Sequence, residues 1–148
     1  MDNLFFTDEH IMIRDMVREF ADSEITPVAR GLDEQEKFPR DLVDKMGELG
    51  LMGIIIPEEY GGAGLDMVAF ATAIMELARA DASVAITMAA HSSLGSLPIL
   101  MFGSDEQKNT YLPKLASGEM LGAFGLTEPN AGSDAGATKT KAVRAGDE

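Results

Sequence analysis

The sequence predicts a mostly α-helical chain in which about five helices precede a short region of strands. Apolar residues recur at helical spacing through the first 117 residues, and helix-capping residues stand before these periodic runs. Alternating, strand-like segments are found only after residue 118. We therefore expect an N-terminal helical domain over residues 1–117 and the beginning of a β-domain over residues 118–148.

The first two helices are bounded by clear local signals. Thr7 is a suitable N-cap, and the two acidic residues after it would complement the helix dipole. This helix is predicted to end near Pro27 or to continue beyond it with a kink. The second helix should have Pro39 in its first turn and end at Gly50.

Three further helices are predicted from their caps. Asp66 should cap the third, and Ser83 should cap a fourth that is rich in alanine and serine. Ser104 caps the fifth, because Gln107 stands at the capping-box spacing. Gly118 should stop that helix.

Two segments then have strand character, at residues 120–126 and 138–145. A Gly-Asp turn signal follows the second, but no returning strand comes after it. Because an isolated pair of strands is marginal in water, we expect the chain to be the front part of a longer protein.

Composition excludes several classes of function. The 148 residues include 25 acidic and 12 basic side chains, for a formal charge of −13. This balance disfavours binding to nucleic acid or to an anionic membrane. The chain has no cysteine, so no disulfide or thiolate site is possible, and His10 and His91 do not have the spacing of metal ligands. His91 is expected to be a hydrogen-bonded core histidine.

The sequence carries no recognisable targeting signal. Its start is acidic where a signal peptide would be basic, and no arginine-rich transit peptide is present. The apolar run over residues 84–102 is interrupted by polar residues, glycine and proline, so we interpret it as a buried helix. A cytoplasmic protein is expected, with a mature mitochondrial-matrix form as the alternative.

The most informative segment for function is the loop at residues 122–134. A strand-like run leads into a polar stretch with the hydroxyls of Thr127 and Ser133 and with Gly132, where a ligand could approach the backbone. Closely spaced backbone amides on small residues can bind an anion. Since proline, asparagine, glycine, serine and aspartate are also ordinary turn residues, a plain strand-to-turn connection is the alternative.

Residues 125–134, Gly-Leu-Thr-Glu-Pro-Asn-Ala-Gly-Ser-Asp, resemble the flavin-binding signature of the acyl-CoA dehydrogenases. Residues 57–64, Pro-Glu-Glu-Tyr-Gly-Gly-Ala-Gly, resemble that family's loop between early helices. Residues 102–108, with the Tyr-Leu-Pro at 111–113, resemble a helix start of the same family. These elements come in the family's order over essentially the whole chain, and they resemble the short-chain, butyryl-CoA-type members in particular.

The resemblance implies an FAD-dependent enzyme of fatty-acid β-oxidation. Family members combine an N-terminal helical domain, a middle β-domain and a C-terminal helical domain. They oxidise the Cα–Cβ bond of an acyl-CoA to trans-2-enoyl-CoA: a glutamate removes the α-proton while the β-hydrogen leaves as hydride to the flavin. Electrons then pass to an electron-transferring flavoprotein, and the enzymes are homotetramers. The catalytic glutamate belongs to the C-terminal domain, so the resemblance places no catalytic residue in this chain and implies that the chain alone is inactive.

Carried over by position, the resemblance implies that one stretch contacts FAD, and that Ser133 also lies near the substrate thioester. Leu126 and Thr127 would meet the flavin ring, and Ser133 the pyrophosphate. Glu128 is a motif residue rather than the catalytic base. The implied cofactor-binding residues are Phe124, Gly125, Leu126, Thr127, Gly132 and Ser133.

Two kinds of alternative stay open at this point. Within the superfamily, the protein could be an acyl-CoA oxidase or an electron-bifurcating enzyme working in the reducing direction. Outside it, the chain could be a helical binding module with no redox role. The polar loop separates these classes, because a purely helical module would not need it.

Overall fold

The computed structural model describes residues 6–146 and gives a helical body followed by an extended segment. Two π-helical turns, Ala21–Ile25 and His91–Ser96, join α1 to α2 and α5 to α6 without a break. The described part therefore contains five helical rods, as predicted. The α-helices are α1 (Asp8–Phe20), α2 (Thr26–Glu34), α3 (Arg40–Glu48), α4 (Met67–Ala80), α5 (Ala82–Ala90), α6 (Leu97–Phe102) and α7 (Asp105–Ala116).

Most of the predicted helix caps are confirmed. The Thr7 hydroxyl accepts the His10 N–H, and His10 Nδ1 accepts the Thr7 N–H in return. Ser104 forms the predicted capping box on α7, and the Asp66 carboxylate caps α4. These contacts satisfy N–H groups that have no partner inside the helix.

The predicted cap of the fourth helix is wrong by two residues. Asp81, not Ser83, is the N-cap of α5, and its carboxylate accepts the N–H groups of Ser83 at 2.7 Å and Val84 at 3.0 Å. The Ser83 hydroxyl donates to the same carboxylate. Because an aspartate accepts several hydrogen bonds at once, it takes the cap position from the serine that follows.

The first rod continues beyond Pro27, the second of the two predicted possibilities. The π-helical turn precedes the proline, and the Thr26 hydroxyl donates to the carbonyl of Ala21 at 3.1 Å. The rod formed by α5 and α6 repeats this arrangement: the Ser96 hydroxyl donates to the His91 carbonyl at 3.0 Å, shortly before Pro98. In the first of these turns, the carbonyl of Ala21 accepts both the N–H and the hydroxyl of Thr26.

The main core lies between α1, α3, α4 and α5, with the segment after α3 packed under them. Each large apolar side chain that is fully buried contributes about 1.5–3 kcal/mol relative to exposure. A smaller cluster under α7 contains Ile56, Leu112, Leu115 and Ala116. The fully buried members of the main core include Val17, Ile25, Val43, Met46, Leu51, Met52, Ile54, Leu77, Val84 and Met88.

A buried carboxylate ties α1 to α4. Glu76 on α4 accepts two hydrogen bonds from the Arg18 guanidinium, at 2.6 and 2.9 Å, and one from Arg79 at 3.4 Å. Arg79 also pairs with Asp22 in the first π-helical turn, at 2.7 Å. The hydrogen bond from Arg18 lowers the pKa of Glu76, so this carboxylate stays charged although it is buried.

The two predicted strands are not formed within residues 6–146. Residues 120–126 and 138–145 run without ladder partners, and the only bridge in that range joins Glu128 to Ala131. A strand is stabilised by cross-strand pairs, and neither segment meets a partner strand among the described residues. The turn predicted at Gly146 and Asp147 falls partly outside the described residues, and the domain boundary at residues 117 and 118 stays a prediction.

One helix in the described range, Ala82–Phe102, is long and apolar enough to cross a membrane by length and composition. The core helix of a soluble protein passes the same test, so this finding is weak evidence for a span. The helix has a buried face that includes Val84, Met88 and His91. That face packs into the helical body, which agrees with the interpretation of this run as a core helix.

We predict that Glu76→Gln lowers the free energy of unfolding by roughly 1–3 kcal/mol, because an amide loses one acceptor and the charge that pairs with Arg18. Urea denaturation followed by far-ultraviolet circular dichroism measures this change. Asp15→Asn is the matched control, since Asp15 forms an exposed pair with Arg14. Equal effects of the two substitutions would contradict a stabilising role for the buried network.

Candidate functional site in the loop after α7

The segment after α7 crosses the second π-helical turn with the two backbones in direct contact. The chain turns at Gly118, whose φ of 78° is favourable only for glycine, and then passes over Gly95. A Cβ on Gly95 would lie 2.5 Å from the Cα of Gly122, and a Cβ on Gly122 would lie 2.8 Å from the Cα of Gly95. Only glycine fits on either side of this crossing.

His91 fixes the same crossing through its imidazole. The side chain is buried, with 1% of its surface exposed, and its Nδ1 accepts the Gly122 N–H at 2.9 Å. Its Nε2 lies 3.1 Å from the carbonyl of Leu115. Because the peptide N–H is a donor, Nδ1 must be the acceptor, and the ring proton of the neutral imidazole is on Nε2. His91 is therefore the hydrogen-bonded core histidine that the sequence predicts.

Burial lowers the pKa of His91, while the carbonyls of Leu115 and Met52 oppose this effect. A neutral imidazole suits the position, because protonated Nδ1 could not accept the Gly122 N–H. The charge state of this ring and the position of the segment that follows α7 are thus linked.

Glu128 closes the loop that follows. Its N–H and carbonyl pair with the carbonyl and N–H of Ala131, at 3.0 and 3.1 Å. Its carboxylate accepts the N–H groups of Lys139 and Thr140, each at 2.8 Å, and the Thr140 hydroxyl. The hydrogen bond from that hydroxyl lowers the pKa of Glu128. The Glu128 carboxylate thus joins the loop to residues 139 and 140, and its assignment as a motif residue rather than a base stays a prediction.

The residues implied to bind the cofactor lie together on one exposed stretch. Phe124 is 56% exposed and Leu126 is 43% exposed, and the side chains of Thr127 and Ser133 also face solvent. An added Cβ on Gly125 would meet no atom within 4 Å. Open space of the same kind surrounds Gly132.

The stretch offers hydrogen-bond donors that the described part of the chain does not use. Within residues 6–146, the backbone N–H groups at 124–127, 132 and 133 have no hydrogen-bond partner. Together with two hydroxyls and two open glycines, they form an exposed row of donors. Such a row can pair with a strand, or with the oxygens of a phosphorylated, polar-ringed ligand.

A cavity elsewhere in the described chain has no residue of this stretch in its lining. It has a volume of about 600 Å³ and lies between the α2–α3 connection and the start of α5, with Phe38 and Thr87 in its lining. Among the described residues, no group of three or more histidine, aspartate or glutamate side chains is placed to hold a metal ion. The exposed stretch is therefore the candidate site, and its chemistry is that of hydrogen-bond donors.

The sequence motif points to the residues of the stretch, whose role stays a prediction, but it gives no indication of what holds the stretch in place. The glycine crossing and the second nitrogen contact of His91 join parts of the chain that are distant in sequence. One signal was present: Gly95 interrupts an otherwise helical, alanine- and serine-rich run, which usually indicates a close backbone approach.

The structure thus consists of a helical body followed by an exposed, glycine-bearing loop. The family model described as acyl-CoA dehydrogenase, N-terminal domain, matches residues 7–119. A probable acyl-CoA dehydrogenase of Bacillus subtilis is 53% identical over 146 residues, which are 99% of this chain and 38% of that protein. The chain belongs to the acyl-CoA dehydrogenase family, and it spans about 38% of the length of this relative.

Solved structures agree with this assignment. A structure from a study of the electron-transferring flavoprotein of Acidaminococcus fermentans and of flavin-based electron bifurcation has a TM-score of 0.93 at 47% identity, covering 98% of this chain and 38% of that chain. Butyryl-CoA dehydrogenase from Megasphaera elsdenii has a TM-score of 0.88 at 38% identity, covering 93% and 37%. An acyl-CoA dehydrogenase of Bacillus anthracis, solved in complex with FAD, has a TM-score of 0.83 at 48% identity, covering 88% and 23%.

We predict that Gly95→Ala destabilises the chain by about 1–3 kcal/mol, because the added methyl group overlaps the backbone of Gly122. Helix propensity alone would make the Gly95→Ala variant more stable, since alanine is a better helix former than glycine. Thermal unfolding measures the change, and Gly125→Ala is the control because its added Cβ would meet open space. A stabilised Gly95→Ala variant would show that the crossing is not formed.

We also predict that stability falls with pH below about 6.5, the ordinary pKa of an unfolded histidine. The folded pKa of His91 is lowered, so in this range the unfolded state binds more protons than the folded state. The contribution of His91 is thus present above pH 6.5 and is lost as the pH falls through the folded pKa.

Urea midpoints of the unsubstituted chain and of His91→Asn, measured from pH 8 to pH 5, isolate this effect from other titrating groups. The difference between the two should shrink or change sign as the pH falls. A difference that stays constant with pH would contradict a buried, neutral His91.

Proposed function

We propose that this chain is the flavin-facing N-terminal part of an FAD-dependent acyl-CoA dehydrogenase that oxidises the Cα–Cβ bond of a short-chain acyl-CoA to trans-2-enoyl-CoA. The observation that carries the proposal is the exposed row of unpaired backbone N–H groups at 124–127, 132 and 133, with the hydroxyls of Thr127 and Ser133 on the same stretch. The similarity to an acyl-CoA dehydrogenase solved with FAD supports the choice of cofactor. The similarity to a butyryl-CoA dehydrogenase supports a short acyl chain in the substrate.

The residues of the stretch fit one side of FAD by their chemistry. Bound FAD would supply the acceptor for the hydride that leaves Cβ. The unpaired N–H groups and the Thr127 hydroxyl would donate hydrogen bonds to ring oxygen or nitrogen atoms of FAD, and exposed Leu126 would offer an apolar surface for the ring. Ser133 and the open backbone at Gly132 suit a pyrophosphate oxygen, because no Cβ stands in the way.

In this proposal, no residue of the chain transfers a proton. Glu128 is the acidic group inside the stretch, and its carboxylate is already occupied by three donors from Lys139 and Thr140. A general base needs a free lone pair directed at the proton that it removes. In line with the family resemblance, which places the catalytic glutamate in a C-terminal domain, we propose that a glutamate outside residues 1–148 removes the α-proton and that the chain alone is inactive.

The partners of the whole protein follow from the same proposal. It includes an acyl-CoA substrate, an electron-transferring flavoprotein and a homotetrameric assembly, in the cytoplasm or, as the alternative, in the mitochondrial matrix. Similarity to a structure from work on flavin-based electron bifurcation favours a second candidate, an electron-bifurcating enzyme that reduces an enoyl-CoA. The same flavin-facing stretch would serve both directions of the reaction.

The proposal predicts that the chain binds FAD and that Thr127→Val weakens this binding by roughly tenfold, the loss of one hydrogen bond to the ligand. Flavin fluorescence during a titration with the chain gives the affinity, and the visible absorption spectrum after dialysis shows whether a perturbed flavin band is retained. Valine keeps the branched shape of threonine and replaces its hydroxyl with a methyl group.

Thr110→Val is the matched control for this experiment. Thr110 is an exposed threonine on α7 whose hydroxyl donates to the carbonyl of Glu106, outside the candidate site. Its variant should bind FAD like the unsubstituted chain. Equal affinities for the two valine variants, or no saturable change in flavin fluorescence, would count against the proposed site.

A further inference from the structure

The exposed stretch needs a fixed starting point if its donors are to present a constant arrangement. The described part of the chain holds the beginning of this stretch at the second π-helical turn, through two contacts. One is the crossing of Gly95 and Gly122, where a Cβ on either residue would lie within 3 Å of the other backbone. The other is the hydrogen bond of 2.9 Å from the Gly122 N–H to His91 Nδ1.

These two contacts differ in what they control. The glycine crossing is a van der Waals contact, which sets how closely the two backbones approach. The hydrogen bond to His91 is directional, because an N–H donor must point at the ring nitrogen within a narrow range of angles. It thereby fixes the orientation of the peptide unit that leads towards Phe124, the first residue of the stretch.

The imidazole is itself held in place, so that it can orient what it binds. Its Nε2 donates to the Leu115 carbonyl at the end of α7, at 3.1 Å, and the ring is buried. One ring therefore links three parts of the chain: the π-helical turn, the end of α7 and the start of the exposed stretch. A buried ring with both nitrogens occupied has no freedom to rotate without losing a hydrogen bond.

We propose that His91 is a positioning residue, which fixes the direction in which the flavin-facing stretch leaves the helical body by holding the Gly122 N–H. The inference rests on the proposed function for the role of the stretch, although the anchoring itself is independent of FAD. His91 lies behind the stretch and contacts none of the implied cofactor-binding residues by a hydrogen bond. It acts on the cofactor only through Gly122.

Two substitutions of His91 distinguish the hydrogen bond made by Nδ1 from the one made by Nε2. In His91→Asn, the side-chain oxygen takes the place of Nδ1 and can still accept the Gly122 N–H. In His91→Gln, the amide reaches the place of Nε2 and can still contact the Leu115 carbonyl, but no acceptor remains at the Nδ1 position. Both are neutral amides of similar chemistry, so they form a matched pair.

Amide hydrogen exchange of the 148-residue chain, measured by nuclear magnetic resonance, provides the test. We expect the Gly122 amide to exchange roughly tenfold faster in His91→Gln than in His91→Asn, because only the glutamine variant leaves this N–H without an acceptor. The amide of Leu77, in the buried part of α4, is the internal reference for global opening. Equal Gly122 exchange in the two variants, relative to this reference, would overturn the proposal.

A measurement on the unsubstituted chain keeps the proposal testable if both variants fail to fold. Long-range proton–nitrogen spectra at pH 7.5 should show the His91 ring with a proton on Nε2 and none on Nδ1. The opposite tautomer would by itself overturn the proposal, because a protonated Nδ1 cannot accept from Gly122.

FAD titration of the same two variants separates this inference from the proposed function. We expect FAD to bind His91→Gln roughly tenfold more weakly than His91→Asn, in parallel with the exchange rates. If the Gly122 amide distinguishes the variants but the unsubstituted chain binds no FAD, the anchor stands and the proposed cofactor role of the stretch fails. If FAD binds all three proteins equally, the positioning role is overturned and the proposed function stands.

Discussion

The contact of two backbones at Gly95 and Gly122 is the constraint on which the placement of the candidate site depends. Two main chains can approach this closely only where neither residue has a Cβ, and an added Cβ on either side would lie within 3 Å of the other backbone. The π-helical turn presents Gly95 to the crossing, and His91 in the same turn supplies an acceptor for the Gly122 N–H. The direction of the exposed stretch therefore originates in the middle of a helix, far along the chain from the stretch itself.

The two π-helical turns have a common construction and different uses. In each, a hydroxyl reaches back to the first carbonyl of the turn, from Thr26 to Ala21 and from Ser96 to His91, and a proline follows. The first turn is held through Asp22 by the ion-pair network of Glu76, which makes it part of the helix packing. The second turn receives the crossing segment. π-helical turns are frequent at functional sites. Of the two described here, the second contacts Gly122, which leads into the candidate site.

The parts of the structure that sequence analysis predicted correctly are those that depend on neighbouring residues. Caps at Thr7, Asp66 and Ser104 need only a side-chain oxygen and the N–H groups two or three residues away, so local spacing is sufficient. The strands over 120–126 and 138–145 were predicted wrongly because alternation describes one chain, whereas a strand also needs a partner. The motif located the exposed residues, but the anchor at His91 and Gly122 is a long-range contact, which a local pattern does not encode.

The negative charge of the chain means that binding of an anionic cofactor would depend on the hydrogen-bond donors of the exposed stretch rather than on long-range electrostatic attraction. A formal charge of −13 opposes the approach of an anionic dinucleotide at long range. The carboxylate within the stretch, Glu128, is turned to the N–H groups of Lys139 and Thr140, so its charge is already met by donors of the protein. The backbone N–H groups at 124–127, 132 and 133 have no partner among the described residues. Binding of a phosphorylated cofactor here would therefore depend on short-range hydrogen bonds from a backbone that is already oriented, and this is why the anchor behind the stretch matters as much as the residues in it.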